Sequence, residues 1–481
     1  MKYDVILLSS VTSRSQLQRS LGVYNVAHVF RHDLGLSTQV IDFTDWFEIE
    51  ELYQTVKDFI GDNTQYIGVS STFYQTELPD KDAYWENFKF GLPKNITFTL
   101  EKLKREFPKI KFILGGANSY LHPQYPFFDA VFHAYSETSL KEYVKNTRIW
   151  KTENNKSVIE GDQFPVDIEK LKHHWEDNDF ILPGETLPIE IGRGCIFKCK
   201  FCNYPLTGKK KLDYIRGANL IAQELQNNYD RYGVTNYFFT DDTFNDSTYK
   251  LEILKEAFDQ LTFQPQFTSY IRQDLLYAHR EQVDLLKDLG LRSAFFGIES
   301  LNPQTAKLVG KGMASDKVKD WLLELKHDHF KDKINFVCSM IIGLPEESLD
   351  SVNDSFNWTY ENKINTIWAP LFLRPTARYK SEFDKNYEKY GYEMIESGKN
   401  IWQNKFTNFL EAAKLAQDYQ YKALSISEIH TWVLFSLATL GIKTIDEAMH
   451  MKMSEGAKYR PLMMQRIIEL ISDYKKRLRS Q

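Results

Sequence analysis

Cysteine is scarce in this chain, with four in 481 residues, at Cys195, Cys199, Cys202 and Cys338. So few thiols exclude a disulfide-stapled secreted scaffold and lead to the expectation of a reducing, cytoplasmic location. Basic charge is not in excess either, at 60 Lys and Arg against 65 Asp and Glu. A formal charge of −5 argues against a general nucleic-acid binder, and the adjacent Lys209, Lys210 and Lys211 read as a solvated turn. Long apolar runs are missing: the best, Trp432 to Leu440, is too short and too polar to span a bilayer, so no membrane partner is expected. The opening stretch Met1 to Ser9 lacks a signal-peptide pattern and reads as a first strand. What the chain does have is 42% hydrophobic residues with 33 Phe and 27 Tyr, enough for more than one core and two or three domains.

Three of the four cysteines lie within eight residues, in the stretch Arg193 to Asn203, with three residues between Cys195 and Cys199 and two between Cys199 and Cys202. Thiolates so placed hold metal. With no fourth Cys or His at ligand spacing, the natural ligand set is an iron-sulfur cluster that leaves one iron open for chemistry. The competing reading is an ordinary metal loop completed from afar by His173, His174 or Cys338. Cys338 lies inside the apolar run Ile334 to Ile342 and reads as core.

Residues 1–145 alternate strand and helix patterns. Strands are expected at Tyr3–Leu8, Thr38–Ile41, Tyr66–Ser71, Lys111–Leu114 and Ala130–His133, and Val23, Val26, Ala27 and Phe30 mark a helix. Five strands with helices between them predict a flavodoxin-like parallel sheet whose ligands lie beyond the strand carboxyl ends. Residues 146–186, with Asn154, Asn155, Gly161, Asp162 and Pro165, read as a linker. From Leu187 to about residue 375 the alternation resumes, with strands at Leu187–Ile191, Asn236–Thr240, Gln266–Ile271, Ala294–Ile298, Ile334–Ile342 and Thr366–Leu373. Residues 376–481 turn helical, with apolar spacing at Phe406, Phe409, Leu410, Ala413 and Leu415, then Ile429, Trp432, Val433, Leu437 and Leu440, then Met463 to Tyr474. These helices are expected to cap the open side of the second unit.

The cysteine spacing, Phe201 before the last cysteine and the preceding Arg193 and Gly194 together resemble the cluster loop of the radical S-adenosylmethionine enzymes. The resemblance implies that Cys195, Cys199 and Cys202 hold a four-iron four-sulfur cluster, with S-adenosylmethionine on the fourth iron as the source of a 5'-deoxyadenosyl radical. It also implies a partial (βα)6 barrel over residues 187–375, with polar residues gathered at the strand carboxyl ends. On that pattern Asp241 and Asp242 lie near the cosubstrate's amino group, Arg272 and Glu299 near its carboxylate and ribose, and Phe201 and Gly343 against adenine.

Leu21-Gly22, the strand Ile67–Ser70 and Gly115-Gly116 resemble the cobalamin-binding domain that precedes the barrel in one large subgroup of these enzymes. The family's Asp-x-His-x-x-Gly motif is absent, because none of the eleven histidines follows an Asp by two positions, and His28 and His32 read as ordinary helix residues. Any cobalamin is therefore expected without a histidine on its lower face, resting on the loops after Leu8, Ser70 and Leu114, where Gly115 and Gly116 allow close backbone approach. The resemblance implies radical methyl transfer to an unactivated carbon or phosphorus centre of a small molecule or peptide, with flavodoxin or ferredoxin as electron donor. Non-methylating radical rearrangement, oxidation or cyclisation is the alternative, and a non-catalytic iron-sulfur protein is a third possibility. The scarcity of cysteine speaks against methylthiotransferases, which bring three more in their N-terminal domain.

Overall fold

A computed structural model describes all residues except 12–16, 75–90, 117, 123, 162–165, 169–170, 204–213, 312, 332, 396–400 and 427–455. Lys209 to Lys211, Asp162, Pro165 and the expected helical positions from Ile429 to Leu440 lie outside the described residues.

The first sheet comprises β1 (Val5–Leu8), β2 (Thr38–Ile41), β3 (Tyr66–Ser70), β4 (Lys111–Gly115), β5 (Ala130–His133), β6 (Lys151–Glu153) and β7 (Lys156–Glu160), in the order β2-β1-β3-β4-β5-β7-β6. All pairs are parallel except the β6–β7 hairpin. Every residue of β1 is buried, as expected of a parallel strand covered on both faces. Alternation along it divides the core. Val5 and Leu7 pack with helix Leu21–His28 toward the rest of the molecule, whereas Ile6 and Leu8 pack with helices Ile49–Phe59 and Lys94–Glu106 on the other face.

The sheet therefore has seven strands rather than five, because part of the segment expected to be a linker joins it. Asn154 and Asn155, read as linker residues, both adopt positive φ (49° and 62°), the geometry of a two-residue hairpin turn. The helix Ile49–Phe59 escaped the sequence reading, although Leu52, Tyr53, Val56 and Phe59 form its buried face.

The second sheet contains β8 (Leu187–Ile189), β9 (Asn236–Phe239), β10 (Gln266–Ile271), β11 (Leu291–Glu299), β12 (Asn335–Ile342) and β13 (Thr366–Pro370), all parallel and in sequential order. Helices alternate with these strands, and the sixth unit is completed by helix Phe409–Leu424, whose Phe409, Ala412, Ala416 and Tyr419 join the barrel core. The Tyr419 ring stacks on Phe356 at 4.0 Å. Leu410, expected on the apolar face, is exposed.

The last helix, Gly456–Arg479, corrects the expectation of a C-terminal cap on the barrel. Its Ile467, Leu470, Ile471, Tyr474 and Leu478 pack into the outer core of the first sheet with Ile6, Leu8 and Leu52. The Asp42 backbone N–H donates to the Tyr474 hydroxyl at 2.8 Å, and Lys475 pairs with Glu51 at 2.6 Å.

Candidate functional site

The carboxyl ends of β1, β3 and β4 face the start of the barrel across a cavity of about 530 Å³. Ser70, Gly115 and Gly116 line it from the sheet, Gly22 and Val26 from the first helix, and Glu190, Thr240 and Asp242 from the barrel. At Gly116 the backbone φ is +118°, and a Cβ there would lie 2.8 Å from the Thr72 nitrogen, so only glycine fits comfortably. At Gly68 an added Cβ would meet Leu7 Cδ2 at 2.6 Å. The sheet end thus presents close-packed backbone, a floor suited to a broad flat ligand. No lining residue among those described is a histidine.

His28 and His32 lie elsewhere, packed against His174, with His28 also near His173. Burial and the neighbouring His32 and His174 push His28 down to about 4. The distant ligands considered for an ordinary metal loop are committed elsewhere too. His173 packs edge-on against Trp175 at 5.1 Å. Cys338 is buried within β12 between Phe296 and Thr366, where burial pushes its thiol far up.

The three remaining cysteines occupy the loop after β8 and are half-buried free thiols. Arg193, at the head of that loop, is 2% exposed and forms a buried joint between the two sheets. It pairs with Glu137 of the first domain at 2.6 Å and donates from Nε to Glu190 at 2.9 Å, while Asn25 donates to Glu190 at 2.8 Å. Sequence reading took Arg193 only as part of the motif; its partners Glu137 and Glu190 belong to the segments of the two different sheets, and Asn25 joins them through Glu190. At the other end of the loop, Asn203 lines the cavity and donates to the Tyr120 hydroxyl at 3.3 Å. Asn203 thus brings the end of the cysteine loop to the cavity, while Cys195, Cys199 and Cys202 are not among the residues that line it.

Cys195 Sγ lies 3.2 Å from Thr243 Oγ1. Burial pushes this thiol up, opposed by the Thr243 contact. Arg272 Nη1 lies 3.7 Å from Cys199 Sγ. Three thiols on one partly accessible loop, with a hydroxyl and a guanidinium donor beside two of them, suit anionic sulfur ligands and hence the iron-sulfur cluster.

The other expected cosubstrate residues divide. Asp242 lines the cavity, and burial together with Asp241 pushes its carboxyl up to about 7. Asp241 instead faces the barrel wall, where it pairs with Lys250 at 2.7 Å and accepts the Ile191 N–H at 3.0 Å. This buried pair gives Asp241 a structural job tying β8 to the segment after β9. Glu299 ends β11 at φ +71°, a conformation costly outside glycine, and is held there by Lys311 at 3.2 Å and by Ser339, which donates at 3.2 Å. Phe201 lies on the same side, its ring centroid 5.8 Å from the Lys311 ammonium. Gly343, expected against adenine, faces protein: a Cβ there would meet the Trp402 ring at 2.1 Å, and Tyr392 donates to its carbonyl at 2.6 Å.

Glu347 was not singled out by itself. It is buried, accepts from Ser300 and is pushed up to about 7 by burial. Through this contact the segment after β11 meets the segment after β12.

Residues 189–359 match the sequence family described as the Radical SAM superfamily. An uncharacterized methyltransferase of Pyrococcus horikoshii is 23% identical over 440 residues, covering 85% of each chain. Among solved structures the chain resembles the radical S-adenosylmethionine methyltransferase TsrM from Kitasatospora setae, whose structure holds tryptophan substrate and a cosubstrate analogue (TM-score 0.59, 14% identity, 87% of this chain and 83% of that one). It also resembles the cobalamin-dependent radical enzyme OxsB (TM-score 0.56, 15% identity), covering 80% of this chain but only 55% of OxsB. These likenesses extend over both sheets, so the fold is a cobalamin-binding-type domain followed by a radical SAM barrel.

Proposed function

From a Radical SAM superfamily domain over residues 189–359, we propose that this protein is a cobalamin-dependent radical methyltransferase acting on an unactivated centre. The observation that carries this reading is a cavity lined both by the glycine-rich ends of the first sheet and by Asn203, the residue that follows the last cysteine of the barrel loop. Cys195, Cys199 and Cys202 would hold the four-iron cluster, and Ser70, Gly115 and Gly116 would lie against cobalamin. The chemistry these groups supply when bound is one-electron cleavage of S-adenosylmethionine and delivery of a methyl group.

The chain's own residues orient and enclose. Asp242, whose carboxyl burial pushes up to about 7 in the cavity wall, would accept a hydrogen bond from an ammonium group such as that of the cosubstrate. Arg193 keeps the two sheets in register by its paired contacts with Glu137 and Glu190. Tyr379 and Arg374, from the segment after the last barrel strand, line the cavity, where a substrate would lie against them. We assign as substrate a small molecule or peptide and as electron donor a flavodoxin or ferredoxin. A cytoplasmic location accords with an oxygen-sensitive cluster. Among the described residues, no helix is long and apolar enough to cross a membrane.

The deciding experiment is anaerobic reconstitution with iron, sulfide and cobalamin, followed by reaction with methyl-labelled S-adenosylmethionine under reducing conditions. The expected result is base-off cobalamin unchanged by His28→Ala or His32→Ala, with label recovered in product. Formation of 5'-deoxyadenosine with an unlabelled product would replace methyl transfer by a non-methylating radical reaction. Absence of 5'-deoxyadenosine with candidate substrates present would favour a non-catalytic protein.

A further inference from the structure

One edge of the Arg272 guanidinium is already taken. Its Nε and Nη2 edge, the pair that clamps carboxylates bidentately, is filled by Asp274 at 3.0 and 2.5 Å. One face of the same plane stacks on Phe197 at 3.9 Å, and Phe197 belongs to the loop between Cys195 and Cys199. The backbone is pinned as well: the Arg272 N–H donates to Asn245 Oδ1 at 2.8 Å, and Asn245 Nδ2 donates back to the Arg272 carbonyl at 3.1 Å. On the outer end of the guanidinium, beside the second Nη2 hydrogen, Nη1 lies 3.7 Å from Cys199 Sγ.

We propose that Arg272 is a positioning residue for the cluster, setting the ease with which it accepts an electron, and that Thr243 assists through Cys195. The inference rests on the radical reading above. A thiolate-bound cluster becomes more negative when reduced, so a fixed cation and an N–H donor at one of its sulfurs stabilise the reduced form more than the oxidised form. Arginine stays charged at any working pH, so the bias persists. Asp274 neutralises part of the charge but lies on the opposite edge of the guanidinium and fixes its aim. Thr243 adds an uncharged donor to a second sulfur, a weaker effect of the same sign.

The test is a redox titration of the full-length, anaerobically reconstituted protein, followed by the electron paramagnetic resonance signal of the reduced cluster. Equilibrium dialysis with S-adenosylmethionine runs beside it. Arg272→Gln is expected to lower the ratio of reduced to oxidised cluster about tenfold at a given potential, a shift of about 59 mV for one electron. Arg272→Lys should keep more than half of the wild-type value, and Thr243→Val should lower the ratio by a smaller factor, about threefold. A midpoint unmoved in Arg272→Gln, with cosubstrate affinity falling tenfold instead, overturns the inference and returns Arg272 to the cosubstrate. Should Arg272→Gln fail to assemble four irons, Thr243→Val decides, because Arg272→Lys keeps the charge, and a wild-type midpoint in Thr243→Val overturns the inference. A wild-type chain without a four-iron cluster overturns the radical reading itself, a result distinct from a cluster whose potential ignores Arg272.

Discussion

The carboxyl ends of the first sheet present Ser70, Gly115 and Gly116, whereas those of the barrel present three thiols, Asp242, Arg272 and Glu299. One end shapes its ligand space with bare backbone, the other with charged and soft side chains. The difference implies opposite sensitivities. At the first sheet an added methyl group does harm at Gly116, because backbone nitrogen already lies where its Cβ would go. At the barrel the harm comes from removing a functional group.

The sharpest way to break the comparison is at the thiols. Cys195→Ala, Cys199→Ala or Cys202→Ala should each abolish cluster binding, taking reconstituted iron from about four per chain to near zero, while Cys338→Ala retains it. Loss of iron in the Cys338 variant, or tightly held zinc in the wild type, would count against the assignment.

Gly116→Ala should act in the opposite sense. With φ at +118° and Thr72 N 2.8 Å from the new Cβ, it should cost about 1–3 kcal/mol of stability. Cobalamin uptake should weaken while iron content stays at the wild-type level. Absorbance and iron assays on one preparation separate the two, and equal loss of both would dissolve the division between the sheets.

A smaller effect is expected at Glu347, which sits in the barrel yet offers no ligand. Its folded pKa of about 7 lies above the usual glutamate value, so the folded state binds the proton more tightly than the unfolded state. Stability from this group is full below about pH 4.5 and is lost as pH rises through about 7. Glu347→Gln should therefore be nearly neutral at pH 5 and stabilising by about 1–2 kcal/mol at pH 8, read from denaturant midpoints. A gain independent of pH would point to packing instead of charge.

Much of this arrangement was legible before any coordinates. A short apolar run such as Val5–Leu8 announces a buried parallel strand, because each residue is covered whichever face it meets. The cysteine triad announces its loop because its spacing is local. What escaped depends on contacts distant in sequence. Asp241 and Asp242 are chemically alike as neighbours, and only the position of Lys250 sends one into the wall and leaves the other in the cavity. Nothing in the residue type of Arg272 tells that Asp274, two residues on, takes one edge of its guanidinium and fixes its aim. Gly343 has its partner, Trp402, nearly sixty residues away in a segment with no recognisable motif. The apolar stripe from Met463 to Tyr474 gives a helix but not the surface that receives it.

That receiving surface bears on the order of assembly. A ribosome emits β1 to β7 and then the whole barrel before residues 456–479, so the face carrying Ile6, Leu8, Ile41 and Leu52 has to wait for Ile467, Leu470 and Tyr474. The half of the molecule that begins first is finished last. Newborn chains consequently pass through an interval with an uncovered greasy wall, during which capture by a chaperone competes with docking of the final helix. Chains stopped at residue 455 should display that wall permanently, binding a hydrophobic dye and losing protease resistance in residues 1–160 before the barrel does.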